Sequence, residues 1–157
     1  MTTDKLPFNI VLVEPEIPPN TGNIARLCAA TGSNLHLVGK LGFSIDDRQL
    51  KRAGLDYWDK VSLKTWESLE ALQAANPEAR YWYLSTKAEK SYLEADFYPG
   101  DFLVFGKETK GLPEELIRKN LDYAIKIPMP GEIRSLNLST STGIVLYEAL
   151  RKTGTIT

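Results

Sequence analysis

One cysteine, one histidine and no long apolar run mark this 157-residue sequence, and each shortage closes a class of chemistry. With Cys28 alone, no intrachain disulfide forms and no zinc site can be assembled from thiolates. His36 alternates with Leu35 and Leu37, which reads as an ordinary strand residue rather than a base or a metal ligand. So placed, it leaves no imidazole for Cys-His or Ser-His-Asp nucleophilic catalysis within one chain. The longest apolar stretches, such as Ile10 to Val13 and Ile144 to Tyr147, fall far short of the roughly 18 residues that suggest a membrane span. The opening Met1-Thr2-Thr3-Asp4-Lys5 lacks the basic-then-apolar layout of a secretory signal, so the expectation is a cytoplasmic protein.

An excess of charge is missing too. Lysine and arginine number 19 against 20 aspartates and glutamates, a net charge of −1. Many nucleic-acid binders carry a strongly basic domain, so an RNA role here must rest on local clusters. With 43% hydrophobic and 25% charged residues, the composition suits one globular domain with a sizeable core, and residues 1–157 are read as that single domain.

What is present is alternation. Short β-branched and aromatic runs stand at Phe8 to Val13, Leu35 to Val38, Lys60 to Leu63, Tyr81 to Leu84, Phe102 to Phe105 and Tyr123 to Ile127. Helical patterns fill Thr21 to Ala30, Asp46 to Ala53, Trp66 to Ala75 and Pro113 to Asn120, and Ser135 to Lys152 closes the chain. Gly32, Asn76-Pro77 and Pro99-Gly100-Asp101 punctuate the boundaries. The order predicts an α/β fold with a parallel sheet flanked by helices. Such sheets bind ligands at the carboxyl ends of their strands.

Three segments leaving strands are rich in Gly, Pro and small polar residues. The first, Glu14 to Arg26, leads into a helix, where Asn20 or Thr21 suits a cap and Cys28 suits the apolar side. The second, Gly106-Lys107-Glu108-Thr109-Lys110-Gly111-Leu112-Pro113, has the glycine spacing of a phosphate loop but lacks the Lys-Ser/Thr that must follow. No Gly-x-Gly-x-x-Gly follows the first strand either, which argues against a dinucleotide dehydrogenase. The third, Ile127 to Ser139, brings Ser135 and Asn137 to the start of the last helix, where such residues are often caps.

Taken together and in order, Asn20 with Arg26, Phe105 to Pro113, and Arg134-Ser135-Leu136-Asn137-Leu138-Ser139 resemble the three motifs of the SPOUT 2′-O-ribose RNA methyltransferases, from about Asn9 to Lys152. Glu14 to Asn23 and Arg52 to Trp58 are similar to the single-domain branch that acts on a tRNA wobble nucleoside, cytidine or a modified uridine at position 34. Thr140 departs from the pattern, since close relatives usually carry Asn after the Ser. The resemblance implies an α/β-knot fold, with a deep C-terminal trefoil knot that no physical rule would derive. It implies a homodimer joined by the first and last helices, with Tyr147 as an interface residue, and it implies tRNA as partner with no metal. S-adenosylmethionine would be bound near Leu84, Gly106, Ile127, Ser135 and Leu136. Arg26 would activate the hydroxyl, supported by Asn20, Glu108, Ser135 and Asn137.

Methyl transfer from a sulfonium demands in-line placement and loss of the hydroxyl proton. A guanidinium stays protonated far above neutral pH, and holding one neutral near pH 7 costs about 8 kcal/mol, so a literal arginine base is a poor design. The better reading is that Arg26 orients the ribose and a neighbouring phosphate, while a phosphate oxygen or water takes the proton. For RNA contact, Arg48, Lys51 and Arg52 stand at i, i+3 and i+4 on one helix face, with Tyr57 and Trp58 following and Lys107, Lys110 and Arg134 near the proposed pocket.

Overall fold

A computed structural model describes residues 6–54 and 58–157. It contains β1 (Asn9–Val13), α1 (Pro18–Thr31), β2 (Asn34–Val38), α2 (Arg48–Gly54), β3 (Leu63–Trp66), α3 (Leu69–Ala75), β4 (Tyr81–Leu84), β5 (Lys90–Ser91), β6 (Phe102–Phe105), α4 (Glu114–Lys119), β7 (Ala124–Lys126) and α5 (Leu138–Lys152). The strands form one sheet in the order β3-β2-β1-β6-β4-β7-β5. Every pairing between them is parallel, as the alternation predicts.

Both faces of this sheet are covered, which is why its central strands read as continuous apolar runs. Along β1, Ile10 and Leu12 join Ile24, Cys28, Val145, Leu146 and Ala149 of α1 and α5 in one core. Val11 points the other way, into a second core with Leu69 and Leu72 of α3 and Ile117 of α4.

Several boundaries differ from the sequence reading, each for a local reason. α1 begins at Pro18, because Pro18 and Pro19 occupy first-turn positions whose N–H groups need no helical partner. Asn20 and Thr21 therefore lie inside the helix and cap nothing; the buried Thr21 hydroxyl has no hydrogen-bond partner among the described residues. The third strand runs from Leu63 to Trp66 rather than Lys60 to Leu63, since Trp58–Lys60 forms a 3₁₀ turn and Leu63 to Trp66 pair with Leu35 to Val38. Trp66 is thus strand, and the next helix starts after Ser68, whose hydroxyl accepts from Ala71 N–H at 3.0 Å. The last helix starts at Leu138, not Ser135, because Asn137 is its N-cap. The two-residue β5 was too short to announce itself in the sequence.

His36 sits in β2 as expected, 4% exposed. Trp66 Nε1 donates to its Nδ1 at 3.0 Å, so the other nitrogen carries the proton and donates to Asn9 Oδ1, also at 3.0 Å. Burial, with Lys64 adding to it, pushes the His36 pKa down to about 4. The neutral ring is native and the unfolded chain binds the proton more readily, so stability is complete above pH 6.5 and falls as the pH drops from 6.5 toward 4. Urea titrations across that window should lose up to about 3 kcal/mol through this residue. His36→Gln should flatten the loss, and an unchanged pH profile in that variant would refute the assignment.

Candidate active site

Strand order singles out one crevice. β1 leads through α1 to β2 on one side, while its neighbour β6 leads through α4 to β7 on the other. The chain thus diverges at the carboxyl ends of β1 and β6, the switch point at which open α/β sheets bind ligands. A cavity of about 470 Å³ opens there, within the range of small-molecule sites.

Its floor and walls come from distant segments. Leu84 follows β4, Phe105 and Gly106 end β6, Ile127 and Met129 follow β7, and Ser135 to Leu138 lead into α5. A side chain at Gly106 would be driven into the Gly111–Leu112 peptide, with its Cβ 2.6 Å from Gly111 Cα. The loop closes on itself there, with Gly111 N–H donating to Lys107 O at 2.9 Å and Gly111 at φ +68°.

Three polar residues at the cavity are wired together. The Glu108 carboxylate accepts from the N–H groups of Glu16 (2.8 Å) and Ile17 (3.0 Å) and from Asn20 Nδ2 (3.1 Å). That fixes the Asn20 amide, 5% exposed, so that its Oδ1 faces away and accepts from Asn137 Nδ2 at 3.0 Å. Asn137 Oδ1 in turn accepts from the N–H groups of Ser139 (2.9 Å) and Thr140 (3.3 Å) at the start of α5. Glu108 thus supplies, from another strand's loop, the anion that the start of α1 lacks locally. One chain of hydrogen bonds joins all three loops singled out in the sequence.

Eight of the sequence-identified residues line this cavity: Asn20, Leu84, Gly106, Glu108, Ile127, Ser135, Leu136 and Asn137. Arg26 does not; it is exposed on α1, outside the lining. Lys107 and Lys110 are at the cavity, with Lys107 Nζ 3.1 Å from Glu14 Oε1, whereas Arg134 is exposed and off the lining. Arg48 and Arg52 are exposed on α2, which packs on α1. The Lys51 side chain and Tyr57 lie outside the described residues.

Sequence reasoning passed over Lys87, Lys126 and Ser141, which also line the cavity. It also missed Glu16, whose carboxylate accepts from the hydroxyl (2.8 Å) and N–H (3.1 Å) of Thr109. These two hydrogen bonds, the hydroxyl's first, hold the Glu16 carboxyl below its usual range. Cys28 is no nucleophile, because burial pushes its thiol up to about 12. Among the described residues, no group of three or more His, Cys, Asp or Glu side chains is arranged to hold a metal ion.

Comparison with known proteins agrees with the geometry. Residues 7–147 match the model of the SpoU rRNA Methylase family. A tRNA (cytidine(34)-2'-O)-methyltransferase of Methylovorus glucosotrophus is 52% identical over 147 residues, covering 92% of this chain and 95% of its own. A solved structure described as giving insight into 2-OH methylation of C/U34 on tRNA superposes with a TM-score of 0.88 at 47% identity, covering 92% of this chain and 95% of that one. An AdoMet-bound rRNA methyltransferase from Sinorhizobium meliloti superposes at 0.84 with 25% identity, covering 96% and 58%.

Glu108→Ala should leave two backbone N–H groups and one amide without an acceptor, lowering stability by about 1–2 kcal/mol in denaturant titration. Glu108→Gln, which keeps one acceptor oxygen, should lose less. Equal stability of both variants and the parent would show that the carboxylate holds nothing.

Proposed function

Since this chain belongs to the SpoU rRNA Methylase family, we propose that it is an S-adenosylmethionine-dependent enzyme that methylates the ribose 2′-hydroxyl of the wobble nucleotide, position 34, of a tRNA. The observation that supports this best is the wiring of Glu108, Asn20 and Asn137 at one cavity with the expected cofactor residues. The relatives named for tRNA position 34 are about half identical over most of their length, which favours tRNA over the ribosomal RNA of the family name.

The cavity suits the cofactor. Leu84, Phe105, Ile127, Met129 and Leu136 give it apolar walls, and Gly106 brings bare backbone to its surface for reading the adenine edge. When bound, S-adenosylmethionine supplies an activated methyl group whose departure leaves a neutral thioether. The chain's own residues then have two tasks. Asn20 and Asn137 set fixed dipoles at the mouth, oriented by Glu108, against which the ribose is placed. Arg26 orients the ribose and the adjacent phosphate and stabilises developing negative charge on the 2′-oxygen, while a phosphate oxygen or water accepts the proton. His36 takes no part, since both of its nitrogens are engaged elsewhere.

Arg26 stands outside the cavity of a single chain, which favours the homodimer expected from the resemblance, with α1 and α5 at the interface. Tyr147, 46% exposed on α5, is apolar surface for such contact. In this reading residues 1–157 act as one domain in the cytoplasm. The tRNA lies across Arg48, Lys51 and Arg52 of α2 and the lysines at the cavity, so its binding should weaken steeply with salt despite the net charge of −1.

Purified protein with radiolabelled S-adenosylmethionine and bulk tRNA should label one ribose at position 34, located by mass spectrometry of the digested tRNA. Label at another ribose would redirect the specificity, and tRNA binding without label would leave an RNA-binding module. Arg26→Ala should abolish turnover while calorimetric binding of S-adenosylmethionine persists. Loss of that binding would contradict the role given to Arg26.

A further inference from the structure

Loops 14–17 and 107–109 leave adjacent strands and then diverge toward opposite sides of the sheet. Nothing in the backbone of either loop obliges them to stay together, yet Glu108 must cross between them to reach Asn20. The side chains on either side of Glu108 bridge that gap. Lys107 pairs with Glu14 at 3.1 Å, and Thr109 donates twice to Glu16, from its hydroxyl at 2.8 Å and its N–H at 3.1 Å. Glu108, between them, accepts in the opposite sense from the N–H groups of Glu16 and Ile17. Each loop thus offers a carboxylate to the other's backbone, a reciprocal clasp.

The receiving loop is itself held from behind. Glu14 has the left-handed backbone conformation, φ +52°, which costs free energy in a non-glycine residue and persists where the surroundings fix it. Gly42 N–H donates to Pro15 O at 2.9 Å, and a Cβ on Gly42 would meet Glu16 Cα at 2.9 Å. Glu16 therefore stands on a backbone held from behind, and its carboxylate reaches from there to Thr109 in the loop that carries Glu108.

From this geometry we infer that Glu16 and Thr109 are positioning residues for methyl transfer: their clasp sets the loop after β6 so that Glu108 orients Asn20 and Asn137. The inference rests on the transfer reaction proposed above. Glu16 is not among the residues lining the cavity; Thr109 is, but its hydroxyl and N–H are both engaged with Glu16, and the apolar walls at Leu84, Ile127 and Leu136 come from other segments of the chain. Loosening it should therefore damage turnover far more than cofactor binding.

The test compares full-length Glu16→Ala, Thr109→Val and Thr109→Ser with the parent. Glu16→Ala and Thr109→Val should each lower kcat about tenfold or more while the Kd for S-adenosylmethionine stays within about threefold and Tm within about 2 °C. Thr109→Ser, which restores the hydroxyl, should recover most of the parent kcat. Unchanged kcat, a fall in Tm that tracks the fall in activity, or a serine variant as slow as the valine one would overturn the inference. If the parent itself transfers no methyl group, the proposed function fails, and the clasp is then decided by amide exchange. The backbone N–H groups at positions 16 and 17, which donate to Glu108, should exchange about tenfold faster in Glu16→Ala, and unaltered exchange would show that no clasp holds Glu108.

Discussion

The Glu108 carboxylate is the interaction on which the candidate site depends. It satisfies backbone N–H groups where α1 begins, at a position with no local side-chain cap, and it dictates which end of the Asn20 amide faces Asn137. Asn137 in turn caps α5. A single anion thus sets the starts of two helices and the orientation of two amides. Because the segments lie 88 and 117 residues apart along the chain, the constellation exists only once the sheet has assembled.

The sheet makes that assembly possible by placing β1 beside β6 and sending the chain opposite ways from their carboxyl ends. Apolar side chains on both faces of β1 and β6 lock those strands in the middle of the molecule. The loops above them are freed from core duty and carry the polar work. The imidazole lies elsewhere, neutral and fully engaged between Asn9 and Trp66, as a structural residue.

How much of this could be read in the sequence follows from range. The strands Leu35 to Val38 and Phe102 to Phe105 are legible because a buried parallel strand must be apolar on both sides, a local property. Asn20 looks like a cap by the same local logic, yet the helix starts earlier at Pro18-Pro19, and its anion arrives from position 108, which no nearest-neighbour rule can see. Trp66 looks helical until its indole is found pairing with His36 across the strands. Motif order exposed eight cavity residues by resemblance alone. Glu16 and Thr109 escaped because their partnership spans 93 residues and neither carries a chemical signature. The knot likewise is an implication of the resemblance and of no periodicity in the sequence.

Glu108 and Asn137, each hydrogen-bonded to Asn20, act on turnover as one unit through that amide. A double-mutant cycle on methyl transfer measures this directly, using Glu108→Ala, Asn137→Ala and the pair. The double variant should be about as slow as the slower single variant, because either change releases the same amide. Rate losses that multiply would show two independent residues and contradict it.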